Sequence, residues 1–220
     1  MSEAHRSRAK HHRAAETTPS RAGSLHLIGG APCLDFANTA SGRGTAAHQE
    51  HLRSYDDLLT WSAHGGGLPA EARRTLVRRA VETPQEASKV LQRAHHLREA
   101  IRGVVVSIAQ RTAPDPAQAE IVVREAAAAV SAAGLTRQGR GVRWRWPDGT
   151  DDLARPLWPI ARSAFALIED ADPGRMKLCP AADCGWIFLD RSKNNSRRWC
   201  DMRVCGNRDK VRRFYERAGD

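Results

Sequence analysis

No stretch of this 220-residue chain approaches the roughly 18 consecutive apolar residues that a membrane-spanning helix requires, so no membrane partner is expected. The N-terminus is polar and basic with no apolar segment behind it. No secretory signal is visible, and a cytoplasmic, reducing compartment is the expectation. The chain has no glycine-rich phosphate loop, no nucleophile elbow and no His-Glu metal motif. Those absences argue against the common enzyme classes, and the chain is expected not to be an enzyme. There is no internal repeat either. What is present includes 41% hydrophobic residues, enough for a buried core, so wholesale disorder is excluded.

A formal charge of +10 attracts polyanions but does not by itself identify a partner. Its distribution says more. Residues 1–21 carry a net +3, the long middle 22–174 only +1, and 175–217 a net +7.

Residues 1–23 lack apolar periodicity and read as a disordered basic arm. A short strand is expected at Leu25–Ile28, stopped by Gly29-Gly30. Helical spacing then dominates. One helix runs to Gly65-Gly66-Gly67. A second opens at Pro69, with Leu76, Val77, Ala80 and Val81 facing inward. A third, long helix opens at the capping-box pattern Thr83-Pro84-Gln85-Glu86, and a fourth, Ala-rich one runs from Asp115-Pro116 to Gly134. Val142, Trp144 and Trp146 alternate with Arg143 and Arg145, and Pro147-Asp148-Gly149 is a turn signal, so a small hairpin or edge strand is expected. A last core helix lies near 153–170, and Ala171-Asp172-Pro173-Gly174 is the best domain boundary. The fold class is mainly α with a small β component, the short N-terminal strand and the hairpin, followed by a C-terminal cysteine-rich unit.

Four of the five cysteines follow that boundary, as C-x4-C, fifteen residues, then C-x4-C: Cys179, Cys184, Cys200 and Cys205. Two close pairs joined by a short loop supply the four soft ligands of a tetrahedral zinc site. The expectation is one structural Zn2+ per chain, closed to water and therefore not catalytic. Two disulfides, four free thiols and a zinc-thiolate redox switch are the alternatives. Gly185 and Gly206 each follow a cysteine, where a tight knuckle tolerates a positive φ.

Trp186, Phe188 and Trp199 are expected to pack around the metal, base stacking being the alternative. Arg191, Lys193, Arg197 and Arg198 are too many cations for a small core and face solvent or a polyanion. Ser192, Asn194, Asn195 and Ser196 either bond phosphate or base edges or build the turn. Beyond Cys205, Asn207 is the expected N-cap of a basic helix whose stripe of Val211, Phe214 and Tyr215 packs on the knuckle. Arg208, Lys210, Arg212 and Arg213 then occupy the outer face, free for DNA or RNA or simply solvated.

The runs Cys184-Gly185-Trp186-Ile187-Phe188-Leu189-Asp190, Arg197-Arg198-Trp199-Cys200 and Cys205-Gly206-Asn207-Arg208 resemble the CGNR zinc-finger family. Upstream, Cys33-Leu34-Asp35-Phe36-Ala37-Asn38-Thr39, Tyr55-Asp56-Asp57-Leu58-Leu59-Thr60-Trp61 and Leu97-Arg98-Glu99-Ala100-Ile101 resemble the ABATE domain that usually precedes this finger. The resemblance divides the chain into an ABATE-like α-rich domain at 24–172 and a CGNR-type finger at 174–218. It implies a bacterial stress-responsive transcription regulator that binds DNA through the finger, with a sensing or assembly role for the larger domain.

Asp35 and Asn38 sit at an apolar bend. The expected role is structural, Asp35 accepting backbone hydrogen bonds and Asn38 bridging chain ends, with ligand binding as the rival. Cys33 reads as a small core residue. The leading function is a DNA-binding regulator, with a homodimer through the α-rich domain and a small-molecule effector as further partners this reading admits. An RNA-binding module is the second hypothesis. The third is a small-molecule binder or enzyme in which the finger only braces the fold.

Overall fold

The computed structural model describes residues 20–218. Most of the expected basic arm lies outside them, but its last residues, 20–23, are placed against the core. Ser20 Oγ donates to the His51 carbonyl at 2.8 Å, and Ala22 is buried. The strand expected at Leu25–Ile28 does not form. Side chains take its carbonyls in place of a neighbouring strand: His64 Nε2 bonds Leu25 O at 2.8 Å and the Arg197 guanidinium donates to Ile28 O at 2.7 Å.

The elements follow as α1 (Pro32–Ala37), β1 (Ala40–Ser41), β2 (Gln49–Glu50), α2 (Tyr55–His64), α3 (Ala70–Glu82), α4 (Pro84–Ala109), α5 (Pro116–Ser131), β3 (Gly134–Gln138), β4 (Gly141–Arg145), α6 (Trp158–Asp170), β5 (Met176–Leu178), β6 (Ile187–Leu189) and α7 (Asn207–Ala218). The strands make three antiparallel pairs, β1–β2, β3–β4 and β5–β6. No helix among the described residues is long and apolar enough to cross a membrane.

A reciprocal cap starts α2. Ser54 Oγ accepts from Asp57 N, and Asp57 Oδ2 accepts from Ser54 N, both at 3.1 Å. The box expected at Thr83 is absent. Its hydroxyl points backwards and donates to Arg79 O at 2.9 Å, so Thr83 closes α3 rather than capping α4. Helix α3 packs through a narrow stripe of Ala72 and Leu76, which leaves Val77 and Val81 exposed instead of inward. The hairpin around Trp144 forms from β4 and the preceding β3. Its turn lies at Gly139, whose φ of +58° suits glycine, and not at Pro147-Asp148-Gly149.

The core gathers on α4. Leu97, Ile101 and Val105 are fully buried with Leu34, Phe36, Trp61, Leu157 and Ile160, and the Phe36 and Trp61 rings meet edge to face at 5.1 Å. Each such side chain contributes about 1.5–3 kcal/mol by leaving water. Cys33 belongs to this core, and burial pushes its thiol pKa up to about 12. Met176, Ile187 and Leu189 of β5 and β6 enter the same cluster. Across the break at 171–174 the β5–β6 hairpin therefore packs onto the core of the larger domain.

Candidate metal centre and its basic surroundings

The β5–β6 hairpin is continued by Cys179 N donating to Trp186 O at 2.8 Å, which fixes the first cysteine pair in the loop joining the two strands. Gly185 has a φ of +68°, as a tight knuckle requires. Gly206 does not share that geometry. It lies in a π turn, Met202–Gly206, capped by Asp201, whose carboxylate accepts from Arg203 N at 2.7 Å. A Cβ there would meet the Met202 sulfur, so a larger residue would require the exposed Met202 side chain to shift.

This framework brings all four sulfurs of Cys179, Cys184, Cys200 and Cys205 within 4.8 Å of one another, all buried. Cys184–Cys200 and Cys200–Cys205 stand at 3.5 Å. Four thiolates held about 2.3 Å from a zinc ion lie roughly 3.8 Å apart, whereas a disulfide needs about 2.05 Å. The sulfurs are thus placed to share a metal and not bonded in pairs, and all five cysteines are free. The sulfurs oppose one another's ionisation. The hydrogen bond shared with Cys179 pushes Cys184 up to about 12 and raises Cys200 further, while Cys179 itself is lowered by the same two neighbours. A divalent cation relieves that opposition, so the donor set fits a metal and constitutes a metal-binding site. Phe188 is fully buried against the cluster, with Trp186 and Trp199 partly buried beside it.

The two motif residues of the larger domain join it to the finger. The Asn38 amide clamps Ile187, donating from Nδ2 to the Ile187 carbonyl at 2.9 Å and accepting from its N–H at 3.0 Å. Asp35 Oδ1 accepts from Gly29 N at 2.7 Å, and the Gly29 carbonyl accepts from Leu189 N at the same distance. Asp35 and Asn38 thereby hold backbone on both sides of the junction.

Several expected nucleic-acid contacts are engaged within the fold. Arg191 donates twice to Gly30 O, at 2.9 and 2.7 Å. Arg197 donates to the carbonyls of Ile28, Trp199 and Cys200 and lies over the Phe188 ring. Arg208 pairs with Asp183 at 2.9 Å and reaches the Cys205 sulfur at 3.4 Å. Arg212 and Arg213 both pair with the buried Asp209, at 2.8 and 2.9 Å. Arg198 covers the Trp199 ring at 5.0 Å. Among the described residues, the exposed side chains of Lys193 and Lys210 make no hydrogen bond or ion pair, nor does that of Arg203, which the charge pattern did not single out. The polar loop builds its own turn: Ser192 N bonds Asp190 Oδ1 at 2.8 Å and Ser196 N bonds Ser192 Oγ at 3.0 Å.

Helix α7 differs from expectation in two respects. Asn207 is helical, the cap having moved to Asp201, and Val211, Phe214 and Tyr215 are exposed instead of packed on the knuckle. The π turn sets the phase from which α7 starts, and with a wider turn than an α-helix it carries the apolar stripe away from the metal.

Sequence reasoning missed Lys177 and Asp190. Lys177 Nζ lies 2.6 Å from Asp190 Oδ2 and donates to the carbonyls of Asn195 and Arg197 at 2.8 and 3.0 Å. Burial raises the Asp190 pKa, but Lys177, Ser192 and the Arg197 N–H outweigh it and hold the carboxyl well below the ordinary range. Lys177 stands opposite Phe188 in the hairpin, and Asp190 lies just past the end of its strand, so no simple cross-strand pairing in the sequence points to the ion pair.

Comparison with known families agrees with this geometry. Residues 30–171 match the ABATE family, described as a putative stress-induced transcription regulator, and residues 175–218 match the CGNR zinc finger. No curated protein matches the chain.

Proposed function

The chain belongs to the ABATE family and carries a CGNR zinc finger, and from that premise we propose that it is a cytoplasmic DNA-binding regulator without catalytic activity. Cys179, Cys184, Cys200 and Cys205 hold one zinc ion, which cross-links the two knuckles and the start of α7 and leaves no coordination position open for chemistry. The observation that carries this reading is the concentration, among the described residues, of exposed cations without hydrogen bonds or ion pairs around a closed metal centre. Lys193, Arg198, Arg203 and Lys210 meet phosphates and orient the finger. Arg208, Arg212 and Arg213 keep their acidic partners and add field, while Arg191 and Arg197 serve the fold.

The test uses the full chain and duplex DNA. Replacing Arg198 and Lys210 together by Ala should reduce the slope of log affinity against log salt by about two, one unit per lost phosphate contact. An unchanged slope removes both residues from the interface. Elemental analysis should give about one zinc per chain, and zero zinc in freshly purified, reduced protein overturns the four-thiolate assignment. Structured RNA displacing the duplex at equal concentration would move the reading from DNA to RNA.

A further inference from the structure

Away from the finger, the larger domain gathers cations with little to oppose them. Arg155, in the turn that leads into α6, is only 5% exposed, yet among the described residues its guanidinium makes no hydrogen bond or ion pair, and its Nε is buried without a partner. Burial pulls its pKa down, and the charge of Asp148 offsets only part of that shift. The guanidinium lies over the Trp146 ring at 4.9 Å and the Trp158 ring at 5.5 Å. Nearby, Arg162 covers Trp144 at 4.7 Å, and Trp144 meets Trp146 edge to face at 4.6 Å. Trp146 Nε1 donates to Ala129 O at 2.8 Å, which pins the β3–β4 hairpin to α5 and holds the aromatic wall in place.

Trp144, Trp146, Arg155 and Arg162 line one cavity of about 310 Å³, together with Arg143, Arg145, Gly67 and Pro69. The one carboxylate lining it, Asp148, is already shared with Arg145 at 3.7 Å. A buried cation without a counter-charge is a standing cost to the fold, and ring contacts offset only part of it. An anion in the cavity supplies both the missing charge and the missing acceptors. Guanidinium forks match phosphate and carboxylate, and Trp144 and Trp146 add aromatic surface to the lining for the ring of an organic anion. The volume sits at the small end of ligand pockets, about 300–1,000 Å³, and suits a small molecule better than a duplex.

We propose that this cavity binds a small organic anion, a phosphate ester or carboxylate that carries a planar ring, at a site separate from the finger's nucleic-acid surface. The probe is phenyl phosphate, titrated into the full-length, zinc-loaded protein at constant ionic strength with sodium chloride as the reference. The melting temperature should rise saturably and tryptophan emission should change. Arg155→Met should weaken binding about tenfold or more, as loss of a charge-assisted contact does. Arg143→Gln with Arg162→Gln, both exposed positions, should weaken it comparably and leave zinc content and DNA affinity unchanged. If Arg155→Met does not fold, the double variant decides. The absence of a saturable effect, equal binding by the double variant, or loss of DNA binding in that variant overturns the proposal. Inorganic phosphate binding as tightly as phenyl phosphate overturns the assignment of the ring.

Discussion

Asn38 commits both ends of its amide to the backbone of Ile187, 149 residues away in sequence. Replacing it with Ala would leave a buried N–H and a buried carbonyl without partners, at a cost of about 2–4 kcal/mol. Denaturant unfolding of Asn38→Ala should show that loss with the metal in place. The bend at Asp35 and Asn38 was legible as structural from its polar residues among apolar neighbours, but the partner strand was not, because nothing local encodes a contact at that separation. Arg197 and Arg198 teach a related lesson. Adjacent and identical in the sequence, they differ in role because one guanidinium is drawn inward by three carbonyls while the other lies over Trp199. Arg197→Ala should therefore lower the stability of the finger, whereas Arg198→Ala should act mainly on the salt dependence of DNA binding. Thermal melts and salt titrations of the two single variants separate these effects.

An ion pair between a buried arginine and a partly exposed glutamate gives the residue scale a pH signature. Burial raises the Glu50 pKa, but the paired Arg98 guanidinium, with both bonds at 2.6 Å, outweighs it and holds the carboxyl below its ordinary value. A depressed folded-state pKa contributes stability that is complete above the unfolded value of about 4.3 and is lost as pH falls through the folded value. The stability difference between the native chain and Glu50→Gln should thus stay constant from pH 7 to about 5 and shrink below pH 4. A difference that instead grows on acidification would remove the pair from the account.

At the scale of elements, the helices were legible because hydrophobic spacing and proline starts set them. The exceptions have local causes. β3 has no buried face to impose a period, since Leu135 is as exposed as the polar residues around it, and the π turn is invisible to a pattern that assumes 3.6 residues per turn. Helix α7 follows from that turn. Phe214, 68% exposed, meets the Tyr215 ring, which is itself exposed, so Phe214→Ser should change the stability of the isolated chain by less than about 0.5 kcal/mol. Chemical denaturation measures this directly, and a loss of several kcal/mol would show that the stripe is buried in solution.

At the scale of the whole molecule, the cysteine pattern anticipates a cluster of four cysteines, and the break at 171–174 reads as a domain boundary. The structure has instead a hairpin whose inner residues, Met176, Ile187 and Leu189, complete the core of the larger domain while its outer end carries the cysteines. On the proposed reading, metal occupancy at the knuckles should govern how Lys193, Arg198, Arg203 and Lys210 are presented. The most direct test of a zinc-organised nucleic-acid surface is the affinity of the full chain for duplex DNA as a function of salt, measured before and after removal of the metal by a chelator. The account predicts a log–log slope of about −3 to −4 from the four finger cations, reduced to a weak residual after chelation and restored by zinc. An affinity and slope indifferent to the metal would contradict it.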